Sequence, residues 1–97
     1  MTDSERTKFD EVWQVHQGAD WPGDLASDEG QLMTLDTVIG GCLNYFFEEH
    51  HLDEQRVEIL RDCLAELKGV VEDVSEPPSE YFRRLQFLGM TLLQDYS

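Results

Sequence analysis

The sequence predicts an all-α fold: a small antiparallel helical bundle, with three helices in an up-down core and an N-terminal helix laid across it. Three observations predict this. Apolar residues recur at intervals of three and four in four separate segments, no stretch alternates apolar and polar residues as a half-buried strand would, and the connections between segments are short. Short connections between helices of similar length make sequential helices antiparallel neighbours.

The first helix is expected over residues 3 or 4 to 17, with Phe9, Val12, Trp13 and His16 on one face and Gly18 as its stop. The segment "GADWPGDLAS" reads as an irregular connection, with Trp21 pinned onto the core. The second helix starts near Ser27 or Asp28, either of which can cap it, and runs to about Glu49. Its stripe is Leu32, Leu35, Ile39, Cys42, Leu43 and Phe46.

At "HHLD" the chain turns sharply: Asp53 can cap the third helix and Leu52 can staple onto Val57. Val57, Leu60, Leu64, Leu67, Val71 and Val74 then form a seam of 3-4-3-4-3 spacing. Pro77 and Pro78 end that helix, and Pro78 can open the fourth, which runs to about Asp95 and buries Tyr81, Phe82, Leu85, Leu88, Leu92 and Tyr96. Folding back at residues 51–52 places Gly40 and Gly41 level with Cys63, and folding at 76–77 places Gly89 near Leu64. Small residues gathered at one level suit close helix packing or a small apolar pocket.

A chain of 97 residues makes a single domain, here one acidic helical unit with enough apolar material, 40%, to build one core. Twenty-one Asp and Glu against seven Lys and Arg give a formal charge of −14, which argues against direct contact with nucleic acid or anionic membranes and for a basic partner. Between Phe9 and Gln55 there is no Lys or Arg at all. The start "MTDSERTKF" has no apolar run of a secretory leader, and the longest apolar region, residues 32–47, is too short and too interrupted to cross a bilayer. With Cys42 and Cys63 inside apolar helical patterns as reduced thiols, a cytoplasmic location is expected.

Candidate chemistry is sparse. "FFEEHHLDE" crowds metal-ligand residue types, and Glu48-x-x-His51 is half of the Glu-x-x-His pattern of di-iron bundles, but the second half and the further inward carboxylates are missing. No catalytic, cofactor-binding or metal site is therefore assigned, and an enzyme is not expected. Neither cysteine has a basic neighbour at helical contact spacing, and Gly40-Gly41 lies within a helix rather than at an N-terminus where it could cradle phosphate.

The stronger signal is Glu54, Glu58, Asp62 and Glu66, four carboxylates spaced four residues apart along the third helix. Like charges at this spacing oppose a helix by roughly 0.2–0.5 kcal/mol per pair, on the order of 1 kcal/mol for the line. A docking surface for a cationic partner would account for that cost. On the fourth helix Arg83, Phe87 and Met90 project away from the core stripe and resemble interface anchors. On the second, Thr34, Thr37, Gly41 and Asn44 form a small uncharged strip.

These features together lead to an acidic protein-binding module that docks on a basic protein and masks or inhibits it. Nuclease inhibitors, immunity proteins and nucleic-acid mimics share this size and charge, a likeness of type without a shared motif. A structural or adaptor subunit that self-associates as a homodimer is the alternative, and a metal-dependent enzyme built on Glu48 and His51 ranks third.

Overall fold

The computed structural model describes residues 1–21, 29–73 and 78–96, and of residues 71–73, 78 and 79 the backbone. It is built of four helices, α1 (Asp3–Gly18), α2 (Glu29–Glu49), α3 (Glu54–Asp73) and α4 (Pro78–Gln94), with no strand among the described residues. The expected caps Ser27 and Asp28, the seam residue Val74, the terminator Pro77 and the side chain of Val71 lie outside what is described.

Each described helix end has a local cause. Thr2 caps α1 in a reciprocal box: its hydroxyl accepts from the Glu5 N–H at 3.2 Å, and the Glu5 carboxylate accepts from the Thr2 N–H at 3.0 Å. These hydrogen bonds hold the Glu5 carboxyl below the usual carboxylate range. α2 stops because His50 takes φ +64°, a left-handed conformation that few non-glycine residues adopt. Asp53 caps α3 as expected, its Oδ1 accepting from the Arg56 N–H at 2.8 Å, while Leu52 and Val57 are buried on either side of it. Pro78 occupies the first position of α4, where its missing N–H has no helical partner to lose.

α3 packs against both α2 and α4, and α2 also touches α4, which gives the up-down-up core. α1 lies over the face that α2 and α4 share. The Met1 amine meets Asp95, the Lys8 ammonium stands over the Phe87 ring, and His16 contacts Tyr81, so α1 runs antiparallel to α4 along its length. Against α2, Phe9 meets Phe46 and Phe47, Trp13 stacks on Phe47 at 5.3 Å, and His16 stands beside Asp36. Leu32, Ile39, Leu43, Leu60, Leu67, Phe82, Leu85, Leu88, Leu92 and Phe9 are fully enclosed in this core. Trp21 is half-buried edge-on to Tyr81 and Phe82, as the sequence led one to expect.

Gly89 sets how closely α3 and α4 approach. A Cβ there would lie 2.7 Å from a terminal carbon of Leu64, so these two residues are neighbours as expected, and any larger residue at position 89 would force the Leu64 side chain to shift. Gly40 and Gly41 are different: a Cβ on either would meet nothing within 4 Å. Next to them, Cys42 lies near enough to Cys63 for Cys63 to act, after burial, in raising the Cys42 thiol, in keeping with the expected level. The Cys42 thiol donates to the Arg56 carbonyl at 3.9 Å, and Gly41 shares a groove with Gln55, Arg56 and Ile59. Gly41 thus also faces the first two turns of α3.

Candidate functional site

Glu54, Glu58, Asp62 and Glu66 are all exposed on α3. None makes an ion pair among the described residues, although Arg61 and Lys68 on the same helix are also exposed. Because an α-helix turns about 100° per residue, a four-residue step overshoots a full turn by about 40°. The line consequently winds around α3 toward α2. At its far end Asp62 and Glu66 lie close enough to Cys63, on the α2-facing flank, to act with burial in raising that thiol above its ordinary range.

Most of the chain's cations are engaged elsewhere. Arg6 pairs with Asp10 at 2.8 Å and lies over Phe46 and Phe47, Lys8 covers Phe87, Arg56 pairs with Asp53 and stacks 3.8 Å over Tyr45, and Arg84 stands over Tyr81. Four of the seven basic side chains thus cover aromatic rings, contacts worth about 0.5–1 kcal/mol each at exposed sites. None of these four reaches the carboxylate line, and Arg61 and Lys68 beside it make no ion pair with it among the described residues.

On α4 the structure divides the three residues singled out as anchors. Arg83 and Met90 are exposed, Met90 at 56%. Phe87 is not: it is half-buried against the core, under Lys8 of α1. Helical projection shows which side of α4 turns from its own stripe but not which helix then covers that side, and α1 does so here.

The uncharged strip of α2 borders a groove at the Gly41 level, where the gathered small residues suited either close packing or a small apolar pocket. Between α2 and α3 runs an open groove of about 350 Å³ lined by Val38, Gly41, Cys42, Gln55, Arg56 and Ile59. Its lining is mixed, with Val38, Cys42 and Ile59 apolar and Gln55 and Arg56 polar. Ile59 remains 38% exposed on the α3 bank, and on the α2 bank Thr34, Thr37, Gly41 and Asn44 are exposed. A glycine inside a helix costs roughly 0.5–1 kcal/mol relative to alanine, and no contact within this chain demands one at position 41. That absence of need, together with the exposed Ile59, was the available signal.

The metal-ligand cluster disperses. Glu48 and His51 are exposed, and the left-handed His50 between them ends the helix, so the i,i+3 projection that would have aligned them is lost. His51 Nδ1 is instead 3.0 Å from the Glu49 carbonyl. No group of three His, Cys, Asp or Glu among the described residues is arranged to hold a metal ion. Burial raises the Cys42 thiol above its ordinary range, which keeps it protonated and a poor nucleophile at neutral pH.

A second polar cluster, which the sequence reading missed, sits where α1, α2 and α4 meet. Tyr81 donates to Asp36 at 2.8 Å, His16 Nε2 lies 3.8 Å from the same carboxylate oxygen, and the His16 and Tyr81 rings are 4.4 Å apart. Burial and then the Asp36 hydrogen bond push the Tyr81 phenol far above its ordinary range. The cluster ties α4 to α2 through the Tyr81–Asp36 hydrogen bond, while the buried His16 ring beside it has no hydrogen-bond partner at Nδ1 and reaches Asp36 only at ion-pair distance.

The chain matches no protein-family model, no curated protein and no solved structure. No helix among the described residues is long and apolar enough to cross a membrane.

Proposed function

We propose that this protein is an acidic binding module that docks on a basic protein surface and masks or inhibits it. The observation that supports this reading is the α3 line: four exposed carboxylates at regular spacing, without ion pairs among the described residues, while most of the chain's cations cover its own aromatic rings. Within a chain of net charge −14 such a surface attracts cationic partners from a distance, raising association rates more than it adds affinity. The test is capture from native lysate on immobilised protein at low ionic strength, followed by elution in rising salt. Basic proteins released at modest salt agree with the proposal, and an empty column at low salt contradicts it.

Self-association as a structural subunit is the second reading, supported by the exposed Met90 beside Arg83 on α4 and by Met33, 50% exposed on α2. It predicts a homodimer indifferent to salt, visible by light scattering.

A further inference from the structure

We infer that the groove between α2 and α3 receives an apolar side chain of a basic, helical segment of the partner, seated beside Gly41 and Ile59, while Asp62 and Glu66 meet Lys or Arg side chains on that segment's flank. The inference rests on the basic-partner reading above and specifies where and how the partner sits.

The groove's shape and chemistry carry it. At about 350 Å³ and open to solvent on its outer side, it is at the small end of ligand pockets, roughly 300–1,000 Å³, and suits side chains delivered from a neighbouring surface. Val38, Gly41, Cys42 and Ile59 supply apolar lining beside Gln55 and Arg56, and the Arg56 charge is already held by Asp53 and the Tyr45 ring. Nothing within 4 Å occupies the position of a Gly41 Cβ, so the space a side chain would take at that point is left open, and a partner's backbone can approach closely.

Charge selects among occupants. Asp62 and Glu66 are exposed on α3 and stand three and seven residues on from Ile59, on the same side of the helix as that lining residue. Successive carboxylates of the line rise about 6 Å along the helix, the rise that cations four residues apart have on a docked helix running alongside. A helix also brings its backbone hydrogen bonds already satisfied, whereas an extended segment would need a sheet edge that this bank does not provide. A second copy of the chain would bring another −14 charge against the same bank, so the basic partner is the better fit.

The probe is a fluorescent synthetic amphipathic helix with Leu along one face and Lys on both flanks. Its control has the same length and charge with Ala replacing Leu, which preserves helicity. At low salt the wild-type protein should bind the Leu peptide at least tenfold more tightly than the Ala peptide by fluorescence anisotropy. Gly41→Leu, which fills the groove from within, should abolish that preference and leave Ala-peptide binding unchanged; circular dichroism confirms its fold. Ile59→Ala, at an already exposed position, should reduce the preference several-fold. Asp62→Lys should weaken both peptides alike.

Equal binding of the two peptides to wild type, or a preference that survives Gly41→Leu, overturns the groove as the seat while leaving the basic-partner reading intact. Failure of both peptides to bind at low salt overturns that reading as well. A wild-type dimer in sedimentation that Gly41→Leu dissociates assigns the groove to a second copy and likewise overturns the proposal.

Discussion

The two sides of this bundle are built from different materials. Under α1, aromatic rings stack on one another, cations lie over them, and the polar cluster of His16, Asp36 and Tyr81 sits where α1 meets α2 and α4. Along α2 and α3 the helices part around a groove with a glycine at its edge, an exposed isoleucine and carboxylates without ion pairs among the described residues. The first side uses its side chains for internal contacts. The second retains local costs, a helical glycine and a row of like charges, that no internal contact offsets. If, as proposed, the second face is the recognition surface, stability and recognition lie on different faces and substitutions should separate them.

The largest effect is expected in the aromatic seam. Phe9 is fully buried against Phe46 and Phe47, and Phe9→Ala should cost about 3–5 kcal/mol through lost transfer energy and a residual cavity. Against a typical domain stability of about 5–15 kcal/mol, urea unfolding should show a severely weakened or unfolded protein. A loss under about 1 kcal/mol would mean that α1 is not fastened through this ring.

The glycines give a contrast of sign. Gly89→Val places branched carbon against Leu64, already within 2.7 Å of a Cβ there, and should cost about 1–3 kcal/mol by overpacking. Gly41→Ala meets nothing and should gain about 0.5–1 kcal/mol from helix propensity. Chemical denaturation of both variants checks the pair; destabilisation by Gly41→Ala would show that the groove edge is needed for folding.

A smaller effect concerns acid. The Arg56 N–H, and secondarily its guanidinium, hold the Asp53 carboxyl below its ordinary range. A carboxyl depressed in the folded state contributes stability at pH values above its unfolded pKa, about 3.9, and that contribution is lost as pH falls through the folded value. Asp53→Asn retains a capping side chain but cannot titrate, so its thermal midpoint should fall less steeply than that of wild type below pH 4. Parallel midpoint curves would contradict this.

Much of this architecture was legible in the sequence, because helix periodicity and caps are local. The stripes of α2 and α4, the Asp53 cap and the meeting of Gly89 with Leu64 follow from spacing and from short connections. The box at Thr2 and Glu5 was written there as T-x-x-E and overlooked. What could not be read depended on helices meeting in space. Phe87 was assigned to the surface because periodicity does not reveal that Lys8 and α1 cover it. A pocket at the Gly41 level was one of two expectations, but its lining by Gln55, Arg56 and Ile59 depends on how α2 and α3 meet, which periodicity does not give. The joining of Asp36 to Tyr81 across 45 positions is equally non-local.

The central claim, that the α3 line is kept for recognition at a cost to folding, is tested most directly by measuring one variant twice. Asp62→Lys removes repulsion from Glu58 and Glu66 and replaces it with attraction to both, so urea unfolding should show a gain of about 1 kcal/mol or somewhat less. The same variant should lose affinity for the basic protein captured at low salt, chiefly through slower association. A more stable protein that binds less well is the result this account predicts. A more stable protein with unchanged binding and unchanged salt dependence would contradict it and leave α3 as a solvated face.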